Sequence, residues 1–146
     1  MHTAHDILRT KGHTVHSVRP GDTVLKALGV MAEHDIGAVL VMDGEHLVGI
    51  LTERDYARKV ALAGRSSRDS PVEAIMTAHV VCVDPKRTVE ECMGIMTERR
   101  VRHLPVVERK RVIGMISIGD LVKQTIADQE FTITELQRYI VGIGYG

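Results

Sequence analysis

Gly49, Thr52 and Asp55 stand three residues apart in GILTERD, and Gly114, Ser117 and Asp120 repeat that spacing in GMISIGD. A carboxylate can accept hydrogen bonds from two neighbouring hydroxyls, such as a ribose diol. A hydroxyl residue that opens a helix lies beside free backbone N–H groups, which attract phosphate. A glycine just before it lets a ligand come close to the backbone. Ribose near the carboxylate and phosphate near the hydroxyl together describe a nucleotide. The same residues also read as capping boxes, Thr52-x-x-Asp55 and Ser117-x-x-Asp120, with each Asp favouring the positive end of its helix. Both readings need a strand that ends at the glycine and a helix that begins at the hydroxyl.

Those elements come from a duplication. Shifted by sixty-five residues, Val15 to Tyr56 lies over Val80 to Leu121 without a gap. Eleven of the forty-two pairs are identical, where background residue frequencies give about three. Each half begins with a short extended run, VHSV or VVCV, ended by Pro20 or Pro85. Thr23 and Thr88 are candidate N-caps for helices whose apolar residues recur at helical spacing. Two strands follow in each half, AVLVM with LVGIL and LPVVE with VIGMI, joined by turns at DGE and RKR. Second helices begin at Thr52 and Ser117. The fold class is α/β (α+β), with two β-α-β-β-α repeats. Three short strands with helices on one side leave an apolar face that must be buried, so the two sheets are expected to pack face to face about a pseudo-two-fold axis.

The polar stretch GRSSRDSP, residues 64–71, reads as the linker. Residues 1–65 form the first repeat with its entering segment, and residues 66–146 the second repeat with a C-terminal helix. AHDILR leads into the first repeat as PVEAIM leads into the second. The terminal helix is expected to break near Asp128 and to end in a flexible GIGYG. Apolar residues make up 44% and charged residues 26%, ordinary for a globular protein. Lys and Arg balance Asp and Glu at 19 each, and aromatics are scarce, so nucleic acid is not an expected partner. Cys82 and Cys92 form no CxxC pair, which suggests a reducing compartment. The N-terminal stretch lacks a signal-peptide core and no run reaches membrane-spanning length, so no membrane is expected and the cytoplasm is the default location.

The duplicated heptamers, the β-α-β-β-α repeat and VRHLPVVE before the last hairpin strand resemble a tandem pair of CBS domains, the Bateman module. The likeness runs from about Asp6 to Ile126. It implies a regulatory sensor for adenosine-containing ligands, with AMP first and ATP, ADP, NAD(H) or S-adenosylmethionine as alternatives. It also implies a homodimer and a protein effector. Carried over residue by residue, Asp120 would hold ribose and Ser117 would sit beside ribose or phosphate. Arg102 and His103 would meet phosphate, while His16, Ile36 and Gly37 would enclose adenine, with Lys11 helping. The other site would use Asp55 and Thr52, with Val81 and Val101 against the base. Gly37 and Ala38 replace the basic pair there. That leaves three options open: Arg102 borrowed across the axis, a less charged ligand, or an empty site. The two clefts should therefore differ.

Other chemistry is poorly supported. The eight histidines lack the helical spacing of a metal site. No nucleophile has an evident base, and Asp55 and Asp120 belong to separate repeats, so no catalytic residues are assigned. Both cysteines read as buried small hydrophobes and the methionines as core filler. A nucleotide-independent dimerisation scaffold is the alternative function.

Overall fold

The computed structural model describes the backbone of residues 1–144 and the side chains of residues 1–140. Helix α2 (Val24–His34) starts where the Thr23 hydroxyl accepts the Lys26 N–H and buries Val24, Ala27 and Met31. Helix α4 (Val89–Arg99) is its counterpart, with a capping box between Thr88 and Glu91 and with Val89, Cys92 and Met96 buried. Both helices stop at a non-glycine residue in the left-handed region, Asp35 at φ 51° and Arg100 at φ 55°. That conformation costs about 1–2 kcal/mol, and it turns the chain from helix into strand at the same place in each repeat.

The hairpin of β2 (Ala38–Asp43) and β3 (His46–Thr52) pairs Ala38 with Thr52 and carries a bulge at Val41/Met42. The hairpin of β4 (His103–Glu108) and β5 (Arg111–Ser117) pairs His103 with Ser117 and bulges at Val106/Val107. Every paired position is offset by the same sixty-five residues as in the sequence, bulge included. Strand β1 (Ser17–Val18) adds in parallel to β2. Its counterpart in the second repeat is only a single bridge, Val83 to Val106, shorter than the VVCV run suggests. Ala38, Leu40 and Ile50 of the first sheet pack with Val112 and Met115 of the second, so the two hairpin sheets meet across a shared apolar layer.

Chain order gives each leading segment to the repeat that follows it; the packing exchanges them. Helix α1 (Ala4–Lys11), capped by Thr3, puts Ala4, Ile7 and Leu8 into the core of the second repeat. The 3-10 turn Val72–Ala74 and Ile75 join the core of the first. The backbone bonds match: His5 N–H to Pro85 O at 2.9 Å, and Glu73 N–H to Pro20 O at 3.0 Å. The linker is not loose either, because the Ser67 and Ser70 carbonyls accept the Leu25 and Val24 N–H groups at 2.9 Å each.

Helix α3 (Glu53–Tyr56) follows β3 and continues as one wide turn, Ala57–Ala61. Helix α5 (Ile118–Gly144) follows β5 and is unbroken at Asp128. The expected interruption fails: no glycine or proline stands near Asp128 to break the helix, and the carboxylate is taken up by two neighbours. It accepts the Gln124 amide one turn back at 3.0 Å and pairs with His2 at 3.0 Å. In the GIGYG end, residues 145–146 lie outside the described residues. Cys92 is buried as expected, but Cys82 is exposed. The extended backbone sends Val83 to the core and its neighbour Cys82 outward. No helix among the described residues is long and apolar enough to cross a membrane.

Candidate functional site

Each heptamer builds a complete capping box. Asp55 Oδ2 accepts the Thr52 N–H at 3.0 Å and the Thr52 hydroxyl at 3.1 Å, while the Asp55 N–H donates to Thr52 Oγ1 at 3.1 Å. Its Oδ1 accepts the Thr77 hydroxyl at 3.2 Å and the Lys59 ammonium at 3.0 Å. All four acceptor positions of this buried carboxylate are thus filled from within the chain. Asp120 Oδ2 accepts the Ser117 N–H at 2.8 Å, the Ser117 hydroxyl at 3.0 Å and the Lys11 ammonium at 2.7 Å. Its Oδ1 has no protein partner among the described residues. Burial raises the Asp120 pKa, but the Lys11 bond and charge and the Ser117 bonds outweigh it and hold the carboxyl below its ordinary value.

The glycines of the heptamers are explained by packing. A Cβ on Gly49 would strike Met76 Sδ and lie 3.1 Å from Thr77 O. The exchanged segments, not a ligand, occupy the space beside both glycines.

Two clefts of about 310 Å³ each lie in pseudo-symmetric positions. The first is lined by Thr52 and Asp55 from one repeat and by Val81, Val101, Arg102 and His103 from the other. The second is lined by Ser117, Lys11, His16, Ile36, Gly37 and His103; Asp120 is bonded to two of these, Ser117 and Lys11. In each repeat the loop from the first helix into the hairpin faces the partner repeat's heptamer. That rule puts Ile36 and Gly37 opposite Ser117, and it puts Val101 and Arg102 opposite Thr52. Arg102 therefore lines the Asp55 cleft and is absent from the lining of the Asp120 cleft. His103 and Gly37 line both clefts.

Sequence reasoning missed Arg54, Arg100 and His79, which complete the wall of the Asp55 cleft. The Arg54 guanidinium donates to the Arg100 carbonyl at 3.0 Å, tying the start of α3 to the end of α4. Arg54 sits at a free position inside the heptamer and Arg100 at a helix end, so neither carries a motif signal. The Asp55 cleft has three arginines against Glu53 and Asp55, whereas the Asp120 cleft has Lys11 against Asp35. The first is the more cationic wall. His103 between them is held below its ordinary pKa, chiefly by burial, with the Lys11 and Arg102 charges adding and Asp120 opposing. His16 is lowered by burial and by His34, on which its ring stacks at 3.7 Å. Among the described residues no group of three or more His, Cys, Asp or Glu is placed to hold a metal ion.

The family model described as CBS domain matches residues 3–62 and 72–126. The mitochondrial CBS domain-containing protein CBSX3 of Arabidopsis thaliana is 40% identical over 98% of this chain and 73% of its own length. A protein with CBS domains from Burkholderia ambifaria MC40-6 is 53% identical, with a TM-score of 0.84 over 87% of this chain and 96% of that one. A CBS domain pair in complex with 5'-methylthioadenosine and S-adenosyl-L-methionine is 23% identical over 86% of this chain and 97% of its own; its TM-score of 0.76 shows a shared fold.

Proposed function

The chain belongs to the CBS-domain family, and from that premise we propose that it is a regulatory module that binds an adenosine-containing nucleotide and passes its bound state to a protein partner. AMP is the first choice of ligand, ahead of ATP, NAD(H) and S-adenosylmethionine. The observation that carries this reading is one cleft in which Arg54 of the heptamer itself joins Arg100 and Arg102, which face Thr52 and Asp55 from the other repeat. Arginine forks suit phosphate oxygens, and here they stand beside the start of a helix. Val81 and Val101 offer apolar surface to the base. A ribose diol at Asp55 replaces the Thr77 hydroxyl or the Lys59 ammonium, because no acceptor position is spare.

The Asp120 cleft fits a less charged guest. Its lining offers the His16 ring and Ile36 to a base and a single lysine; Asp120 stands behind Ser117 and Lys11, bonded to both. The two clefts then take different ligands, or the same ligand with different affinity. The reading further includes a homodimer in a reducing compartment such as the cytoplasm, no catalytic role, and a ligand that favours one arrangement of the two repeats.

One observation favours the scaffold reading: both aspartates already complete capping boxes within the chain. Isothermal titration against AMP, ATP, NADH and S-adenosylmethionine separates the two. The sensor reading expects saturable heat with at least one of them. It also expects stabilisation of about 2.7 kcal/mol when that ligand is at a hundredfold its Kd. No heat with any of the four, and an unchanged melting temperature, leaves the scaffold.

A further inference from the structure

Helix α5 is longer than its own module needs. Leu121 is buried, Thr125 reaches Met93, and Asp128 is held by His2; these residues mark the face that packs inward. Beside that face runs a second stripe: Val122, Ile126, Gln129, Ile133, Leu136 and Ile140. Its five apolar members are 42–61% exposed. The steps between the six positions alternate four and three residues. This is the 3.5-residue period of a coiled-coil seam, which an isolated helix surface has no reason to keep. From Val122 to Ile140 the stripe is about 27 Å long.

We propose that α5 pairs with α5 of a second copy of this chain in a parallel, in-register, two-stranded coiled coil. Three observations select that occupant and that arrangement. First, the period matches only a helix of the same period, which an identical chain supplies. Second, Ile126, Ile133 and Ile140 occupy the positions where β-branched residues favour two parallel strands, and Leu136 occupies the position where leucine does. Third, Gln129 is the one polar member of the seam. Parallel pairing sets it against its own counterpart, where two amides can bond each other. Antiparallel pairing on the same layers sets it against Ile133 and leaves it unsatisfied. The flanks agree: parallel pairing brings Glu130 to Thr125 of the second copy, whereas antiparallel pairing brings Glu130 to Glu130.

The test uses the full-length chain in analytical ultracentrifugation at micromolar concentration. The wild type is expected to sediment as a dimer and Ile133→Asp/Leu136→Asp as a monomer. Both positions are exposed in the single chain, so the variant should fold, and continued protection of Cys92 from a thiol reagent checks that it does. In a Cys82→Ser background, Gln129→Cys should form a disulfide-linked dimer under mild oxidation, because its counterpart faces it across the seam. A monomeric wild type, or a double variant that remains a folded dimer, overturns the coiled coil. A dimer lost in the double variant but never crosslinked through residue 129 overturns the parallel register.

Discussion

Leu8 fills the space in which a side chain at Gly114 would stand: a Cβ built there would lie 2.6 Å from Leu8 Cδ2. The contact fastens the N-terminal helix to the β5 strand of the second repeat, and Met76 against Gly49 is its counterpart in the first. Gly114→Ala is expected to destabilise the protein by about 1–3 kcal/mol through overpacking. Leu8→Ala is expected to cost about 2–5 kcal/mol through the cavity it leaves. Because the two sites touch, the double variant should lose clearly less than the sum. Urea denaturation of the three variants checks this, and additive losses would show that the glycine serves something other than Leu8.

Lys11→Met removes the cation from the Asp120 carboxylate. The folded-state pKa of Asp120 is depressed, so its contribution to stability is fully present above the ordinary value of 3.8 and is lost as pH falls through the folded value. The wild type should therefore be more stable than Lys11→Met at about pH 7, with the gap closing toward about pH 2. Denaturant midpoints at several pH values measure it. A gap that does not depend on pH would assign the effect to packing of the lysine stem.

Much of this architecture is legible in the sequence because the duplication is gapless where the elements pair. Thr23, Thr88, Thr52 and Ser117 open helices as their capping chemistry predicts, and the offset of Val15 onto Val80 carries through to each hairpin pair and each bulge. The exchange of leading segments is not legible there. Leu8 corresponds to Met76 at an offset of sixty-eight rather than sixty-five residues, so the ungapped alignment does not reach it. Which core a short amphipathic helix joins is also settled by tertiary packing. The contact of Asp128 with His2, a partner at the far end of the chain, is likewise not legible in the sequence. The cationic wall escapes for a similar reason. Arg54 is distant in sequence from Arg100 and Arg102, and only the crossing of the helix-to-strand loop to the partner repeat's heptamer brings the three together.

The two thiols should behave oppositely. Burial, with the Glu91 charge adding, pushes the Cys92 thiol up to about 11, and its side chain is fully enclosed. Cys82 is exposed, although burial of its thiol raises its pKa as well. A thiol reagent at neutral pH should label one cysteine in the native protein and both in denaturant, with peptide mapping locating the first at Cys82. Native labelling of Cys92 would mean that α4 does not seal the second core.

The central claim is that the Asp55 cleft takes the phosphate of an adenosine nucleotide, and one titration bears on it most directly: AMP and adenosine, each against wild type and Arg102→Ala. Loss of a charge-assisted hydrogen bond of about 1.5–3 kcal/mol should weaken AMP by roughly ten- to 150-fold. Adenosine, which has no phosphate, should change by less than about twofold, equivalent to roughly 0.4 kcal/mol. AMP bound equally well by both proteins, or adenosine weakened as much as AMP, would contradict the claim.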